Sequence, residues 1–124
     1  MKVFVVDDSQ LVSQRLVLLL SEVEGVEVVG TAASAEEGIE SISRSKPDVV
    51  ILDIRMPAGN GITVLESIKR QESPPTVIML TNYPYPQYRK KCMEAGADYF
   101  FDKSGEFDKV TDLLERMLAE EAKG

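Results

Sequence analysis

The 124 residues carry 14 Lys and Arg against 21 Asp and Glu, a net charge of −7, with 44% hydrophobic residues. That length fits one domain, expected to occupy residues 1–124, and the acidic balance excludes direct nucleic-acid binding through a Lys/Arg surface. One cysteine and no histidine exclude an internal disulfide, His-ligated or cysteine-cluster zinc, Ser-His-Asp and Cys-His catalysis, and a phosphohistidine carrier.

Lys2–Val6 reads as a first strand that turns acidic at Asp7. The apolar start is too short for a signal peptide, and no run approaches the roughly 20 apolar residues of a membrane span. The expectation is a cytoplasmic protein with no membrane contact. Leu11, Val12, Arg15, Leu16, Leu19, Leu20 and Val23 then form a helical stripe. Val26–Gly30 is the second strand, and Ser34 caps a second helix, with Glu37 completing a capping box. Asp48–Leu52 is the third strand, and Asn60 caps the helix after it. Thr76–Leu80 is the fourth strand.

The segment Tyr83-Pro84-Tyr85-Pro86-Gln87-Tyr88 stops that strand and delays the next helix, in which Pro86 suits the first turn. It reads as a stiff connector, with an aromatic partner surface as the alternative. Arg89-Lys90-Lys91 reads as a solvated helix face, Cys92 as a small buried apolar residue and Gly96 as the helix stop. Asp98–Phe101 is the fifth strand. Val110, Leu113, Leu114, Met117 and Leu118 mark a last helix ending near Ala122-Lys123-Gly124.

Strand and helix alternating five times predict an α/β fold, (βα)₅, with a doubly wound parallel five-stranded sheet. The almost wholly apolar first, third and fourth strands belong in the middle and the more polar second and fifth at the edges. That is the flavodoxin-like order 2-1-3-4-5, whose reversal point opens a crevice at the carboxyl ends of the strands. Asp7-Asp8, Asp53, Thr81 and Lys103 all fall on that rim.

Carboxylates so close repel by about 1 kcal/mol per pair in water and about 4 at an effective dielectric near 20. A bound cation relieves this, and a hard-oxygen set selects Mg²⁺, with Mn²⁺ an alternative. An ammonium and a hydroxyl opposite the cation make sense if the ligand is a phosphoryl group. Asp53, between the two sides, is then the best nucleophile, forming an aspartyl phosphate.

The stretches Val3–Asp8, Asp48–Pro57, Val77–Thr81 and Ala95–Lys103 together resemble the receiver domains of two-component response regulators. The resemblance implies that Asp53 is the phosphoacceptor. It implies Asp8, Asp53 and the backbone carbonyl of Arg55 as direct Mg²⁺ ligands, with Asp7 reaching the metal through water. Thr81 is the implied switch hydroxyl, Lys103 the phosphate-pairing lysine and Phe100 the switch aromatic that turns inward on phosphorylation. The implied donor is a histidine kinase or histidine phosphotransfer protein. The implied output is a downstream target, or a second copy, reading the face of helix four, strand five and helix five. Such a chain is no enzyme beyond catalysing its own phosphorylation and slow dephosphorylation.

The sequence departs from the family in places. Ser104 stands where proline commonly follows the lysine, so a trans bond and a shifted loop are expected. Asn82 is larger than the usual small residue, and Arg55 and Tyr83 line the site entrance, where they are expected to slow dephosphorylation. Asn82 and Ser104 keep a phosphorylation-independent binding module as the alternative function. A Mg²⁺-dependent phosphohydrolase lacks its second Asp two residues after the nucleophile, and a flavin site would be repelled by Asp7-Asp8. A stand-alone receiver is the first expectation. A piece of a longer regulator is the alternative, since Lys103-Ser104 resembles receivers joined to helix-turn-helix output domains.

Overall fold

The computed structural model describes residues 1–56 and 59–123. Pro57 of the second matching stretch and the terminal Gly124 lie outside the described residues. The strands are β1 (Lys2–Val6), β2 (Glu27–Ala32), β3 (Val49–Leu52), the two-residue β4 (Arg55–Met56) and β5 (Gly59–Asn60), β6 (Thr76–Thr81) and β7 (Tyr99–Asp102). The helices are α1 (Gln10–Ser21), α2 (Ala35–Ser45), α3 (Gly61–Lys69), α4 (Pro86–Glu94) and α5 (Lys109–Lys123).

The five main strands form one parallel sheet in the order β2-β1-β3-β6-β7. With the separate β4–β5 ribbon left out of the count, this is the expected 2-1-3-4-5 order. The apolar strands lie where that pattern requires: all four residues of β3 are buried, whereas edge strand β2 is largely half-buried.

Alternation along the strands divides the core in two. Phe4, Val6, Val50, Leu52, Val77 and Met79 pack beneath α2, α3 and α4, with Ile42, Leu65 and Cys92. Val3, Val5, Val49, Ile51, Ile78 and Leu80 pack beneath α1 and α5, with Leu16, Leu20 and Leu114. The period-2 side-chain geometry of a strand buried on both faces produces this.

Local signals act as the sequence suggests, with two corrections. Asn60 accepts from the Ile62 amide, and Ser34 accepts from the Glu37 amide. The returning bond from the Ser34 amide to the Glu37 carboxylate is not made among the described residues, because exposed Glu37 keeps its hydration, so the capping box is half formed. Leu11, expected in the buried stripe of α1, is 79% exposed. Leu16 and Leu20 define the inward direction, and Leu11 and Leu18, seven residues apart, share an outward one. At the end of α4, Gly96 has φ of 104°, the Ala97 amide donates to the Cys92 carbonyl and the Gly96 amide to the Met93 carbonyl. This is the Schellman closure that favours glycine.

Candidate phosphoacceptor site

The site is assembled by backbone bonds that continue the sheet past its strand ends. The Asp7 amide donates to the Ala32 carbonyl, the Asp53 amide to the Val6 carbonyl and the Lys103 amide to the Thr81 carbonyl. Each carries one polar side chain over the carboxyl edge. Asp7 and Asp53 are buried there and Asp8 is exposed, and carboxylate oxygens from the three lie within 4.8 Å of one another. These hard-oxygen donors fit Mg²⁺.

The Lys103 ammonium lies 2.6 Å from an Asp7 oxygen and 3.1 Å from an Asp53 oxygen, with its side chain only 6% exposed. The remaining oxygens are also engaged. Asp7 accepts from the Ser9 amide at 2.8 Å, and Asp53 from the Ile54 amide at 2.8 Å. Burial pushes the Asp53 carboxyl above its ordinary value; Lys103 opposes this and the Asp7 charge adds to it. Burial alone would lower Lys103, but the Asp7 hydrogen bond and the two carboxylate charges outweigh it and raise its pKa.

The cleft over these groups has a volume of about 420 Å³. Asp7, Asp8, Asp53 and Lys103 line it together with Arg55, Asn82 and Tyr83. The Arg55 guanidinium stacks over the Tyr83 ring at 4.5 Å. A larger cleft, about 580 Å³, lies among Lys46–Asp48 and Gln71–Pro75 at the opposite end of the strands, without such a convergence of charged groups.

The expected residues thus converge, except two. Thr81 is fully buried and is not on the cleft wall; its hydroxyl accepts from the Tyr83 amide at 3.0 Å. Phe100, expected to turn inward only on phosphorylation, is already buried, within the core beneath α4 and with the Arg89 guanidinium 5.6 Å over its ring. A phenyl ring has no hydroxyl to hold in water, so the inward position is favoured without a trigger. Among the described residues no peptide is cis, so Lys103–Ser104 is trans as expected.

Three contributors were missed from sequence. Ser9 lines the cleft while capping α1 through the Val12 amide. Met56 also lines the cleft, within the matching stretch. Gly61 presses against the loop that follows Asp53: its amide donates to the Ile54 carbonyl at 2.6 Å, and an added Cβ would collide with the Asp53 carbonyl. Glycine directly after the Asn60 cap was the available signal.

Residues 3–115 match the family model described as the response regulator receiver domain. The chain belongs to the response regulator receiver family. The receiver is 39% identical, over 97% of its own length and 32% of the relative's, to protein-glutamate methylesterase/protein-glutamine glutaminase 4 of Hahella chejuensis. It is 32% identical to the uncharacterized transcriptional regulatory protein YvfU of Bacillus subtilis, over 94% of its length and 58% of that protein's. The receiver therefore spans between about a third and three fifths of these relatives. In structure it resembles the response regulator domain of Thermotoga maritima CheB, with a TM-score of 0.85, 29% identity and coverage of 97% and 94% of the two chains. The fold is flavodoxin-like, in two-component signalling, and no helix is long and apolar enough to cross a membrane.

Proposed function

We propose that residues 1–124 form one receiver domain that accepts a phosphoryl group on Asp53 from a phosphohistidine of a histidine kinase or phosphotransfer protein. The observation that carries this reading is the Lys103 ammonium bridging Asp7 and Asp53 beside a third carboxylate, Asp8. Carboxylates for a hard cation and a lysine for an anion then face one nucleophile. Asp8, Asp53 and the Arg55 carbonyl would hold Mg²⁺ (or Mn²⁺), with Asp7 reaching it through water. When bound, the ion offsets negative charge on the phosphoryl oxygens.

An Asp53 oxygen attacks phosphorus in line, the phosphorus–nitrogen bond of the donor breaks, and the imidazole leaves to be protonated. Lys103 pairs with a phosphoryl oxygen during transfer. Thr81 leaves the Tyr83 amide to donate its hydroxyl hydrogen to another oxygen. Phe100 already stands inside, so the switching motion belongs to Thr81 and the β6–α4 segment bearing Tyr83, Tyr85 and Tyr88. The face of α4, β7 and α5 changes with it, and a protein target or second copy in the cytoplasm reads that change as a population shift. Arg55 stacked on Tyr83, with Asn82 beside them, restricts water at the cleft mouth. The chain performs no chemistry beyond its own phosphorylation and slow hydrolysis.

A similar solved structure, 30% identical with a TM-score of 0.80, covering 92% of this chain and 89% of its own, is a CheX-CheY-BeF3-Mg+2 complex from Borrelia burgdorferi. Beryllofluoride is therefore the probe. Fluorine NMR is expected to show a bound beryllofluoride signal only when Mg²⁺ is present, and none in Asp53→Asn. No bound signal in wild type would leave a phosphorylation-independent binding module.

A further inference from the structure

The lysine of the site sits inside a loop that closes on itself. The Asp102 amide donates to a Glu106 carboxylate oxygen at 3.1 Å, and the Glu106 amide donates back to the Asp102 carbonyl at 2.7 Å. Between them, the Ser104 amide and hydroxyl both donate to one Asp102 oxygen, at 2.9 and 2.8 Å. The other Glu106 oxygen accepts from the Lys109 ammonium at 2.9 Å, tying the loop to the first turn of α5. Next in sequence, Phe107 is buried beneath the Arg15 guanidinium of α1, 4.3 Å from its ring. Lys103 is the residue this arrangement encloses, and its amide goes to the Thr81 carbonyl at 2.9 Å.

We propose that Glu106 is a positioning residue for Lys103: with Asp102 and Ser104 it braces the β7–α5 loop so that the ammonium reaches the Asp7–Asp53 pair. A lysine side chain has four rotatable bonds, so its placement depends on a fixed backbone. Here that backbone is a trans loop with serine after the lysine, and the Asp102–Ser104–Glu106 bonds supply its rigidity. Hydrogen bonds to a charged acceptor are the stronger kind, and Glu106 accepts two of them in the loop that leads from β7 to α5. The inference rests on the receiver reading for its consequence, but the brace itself does not depend on it.

Two measurements test it. In metal-free protein, the Lys103 amide is expected to exchange with solvent about tenfold faster in Glu106→Ala than in wild type, and Glu106→Gln, which keeps an oxygen for the Asp102 amide, to recover most of the protection. Unchanged exchange in Glu106→Ala overturns the brace. With Mg²⁺ and beryllofluoride, Glu106→Ala is expected to weaken anion binding about tenfold in wild type and not at all in a Lys103→Ala background, since its effect passes through Lys103. Equal weakening in both backgrounds overturns the positioning role and leaves a general structural one. If wild type binds no beryllofluoride, the receiver reading fails instead, and the exchange result still decides the brace.

Discussion

Lys103→Met is the perturbation that the site's electrostatics describe most fully. The ammonium stands 2.6 Å from Asp7 and 3.1 Å from Asp53, so a cation on the same carboxylates meets a positive charge one ligand layer away. Unit charges about 4 Å apart interact by about 1 kcal/mol at water-like screening, so a divalent ion is repelled by at least about 2 kcal/mol. Removing the ammonium also leaves the carboxylates repelling one another, which favours the metal further. Lys103→Met is therefore expected to bind Mg²⁺ about 30-fold more tightly, since about 1.4 kcal/mol is tenfold. In metal-free buffer the variant loses the partner of two buried carboxylates, and breaking such a pair costs about 3–5 kcal/mol. Titration calorimetry at pH 8 reads the affinity and a thermal melt with and without Mg²⁺ reads the stability. Unchanged or weaker Mg²⁺ binding in Lys103→Met would refute this electrostatic account.

Three further outcomes follow from the same geometry. Burial raises the Asp53 carboxyl above its unfolded value, so its contribution to stability is full below that value and is lost as pH rises through the folded one. Metal-free Asp53→Asn should accordingly melt higher than wild type at pH 7–8, with the gap closing toward about pH 4; a lower melt at neutral pH would show that the ionised carboxylate stabilises the fold. Gly61→Ala drives a Cβ into the Asp53 carbonyl, so denaturant melts should show a loss of about 1–3 kcal/mol together with weaker Mg²⁺ binding. Arg55→Ala and Tyr83→Ala each remove one half of a stacked pair at the cleft mouth. Loss of phosphoryl label should be a few-fold faster in either, about 0.5–1 kcal/mol for an exposed cation–π contact, and no faster in the double variant; additive acceleration would mean they act separately.

The fold was legible because strand polarity reports sheet position. A strand buried on both faces must be apolar at every residue, as Val49–Leu52 is, while Glu27 and Thr31 can be carried only at an edge. The carboxylate cluster was legible for the same reason: strand order puts Asp7, Asp8 and Asp53 at one end before any side chain is placed. What pattern does not encode is which way a side chain faces once it has two acceptable environments. Leu11 fits an apolar stripe by spacing, yet its direction is set by how α1 docks through Leu16 and Leu20. Phe100 was expected outside and lies inside, because the pocket beside Cys92 and Ala97 exists only in three dimensions. The Glu106 brace was invisible for another reason. Its bonds run mostly between backbone and side chain over a span of a few residues, and such turns leave no periodicity to read.

The central claim is that Asp53 takes the phosphoryl group, and the most direct test is intact mass after incubation with Mg²⁺ and acetyl phosphate. Wild type should gain about 80 Da, one phosphoryl group, and lose it over time, while Asp53→Asn and wild type without Mg²⁺ should gain nothing. A gain of equal size in Asp53→Asn, or none in wild type, would contradict the account.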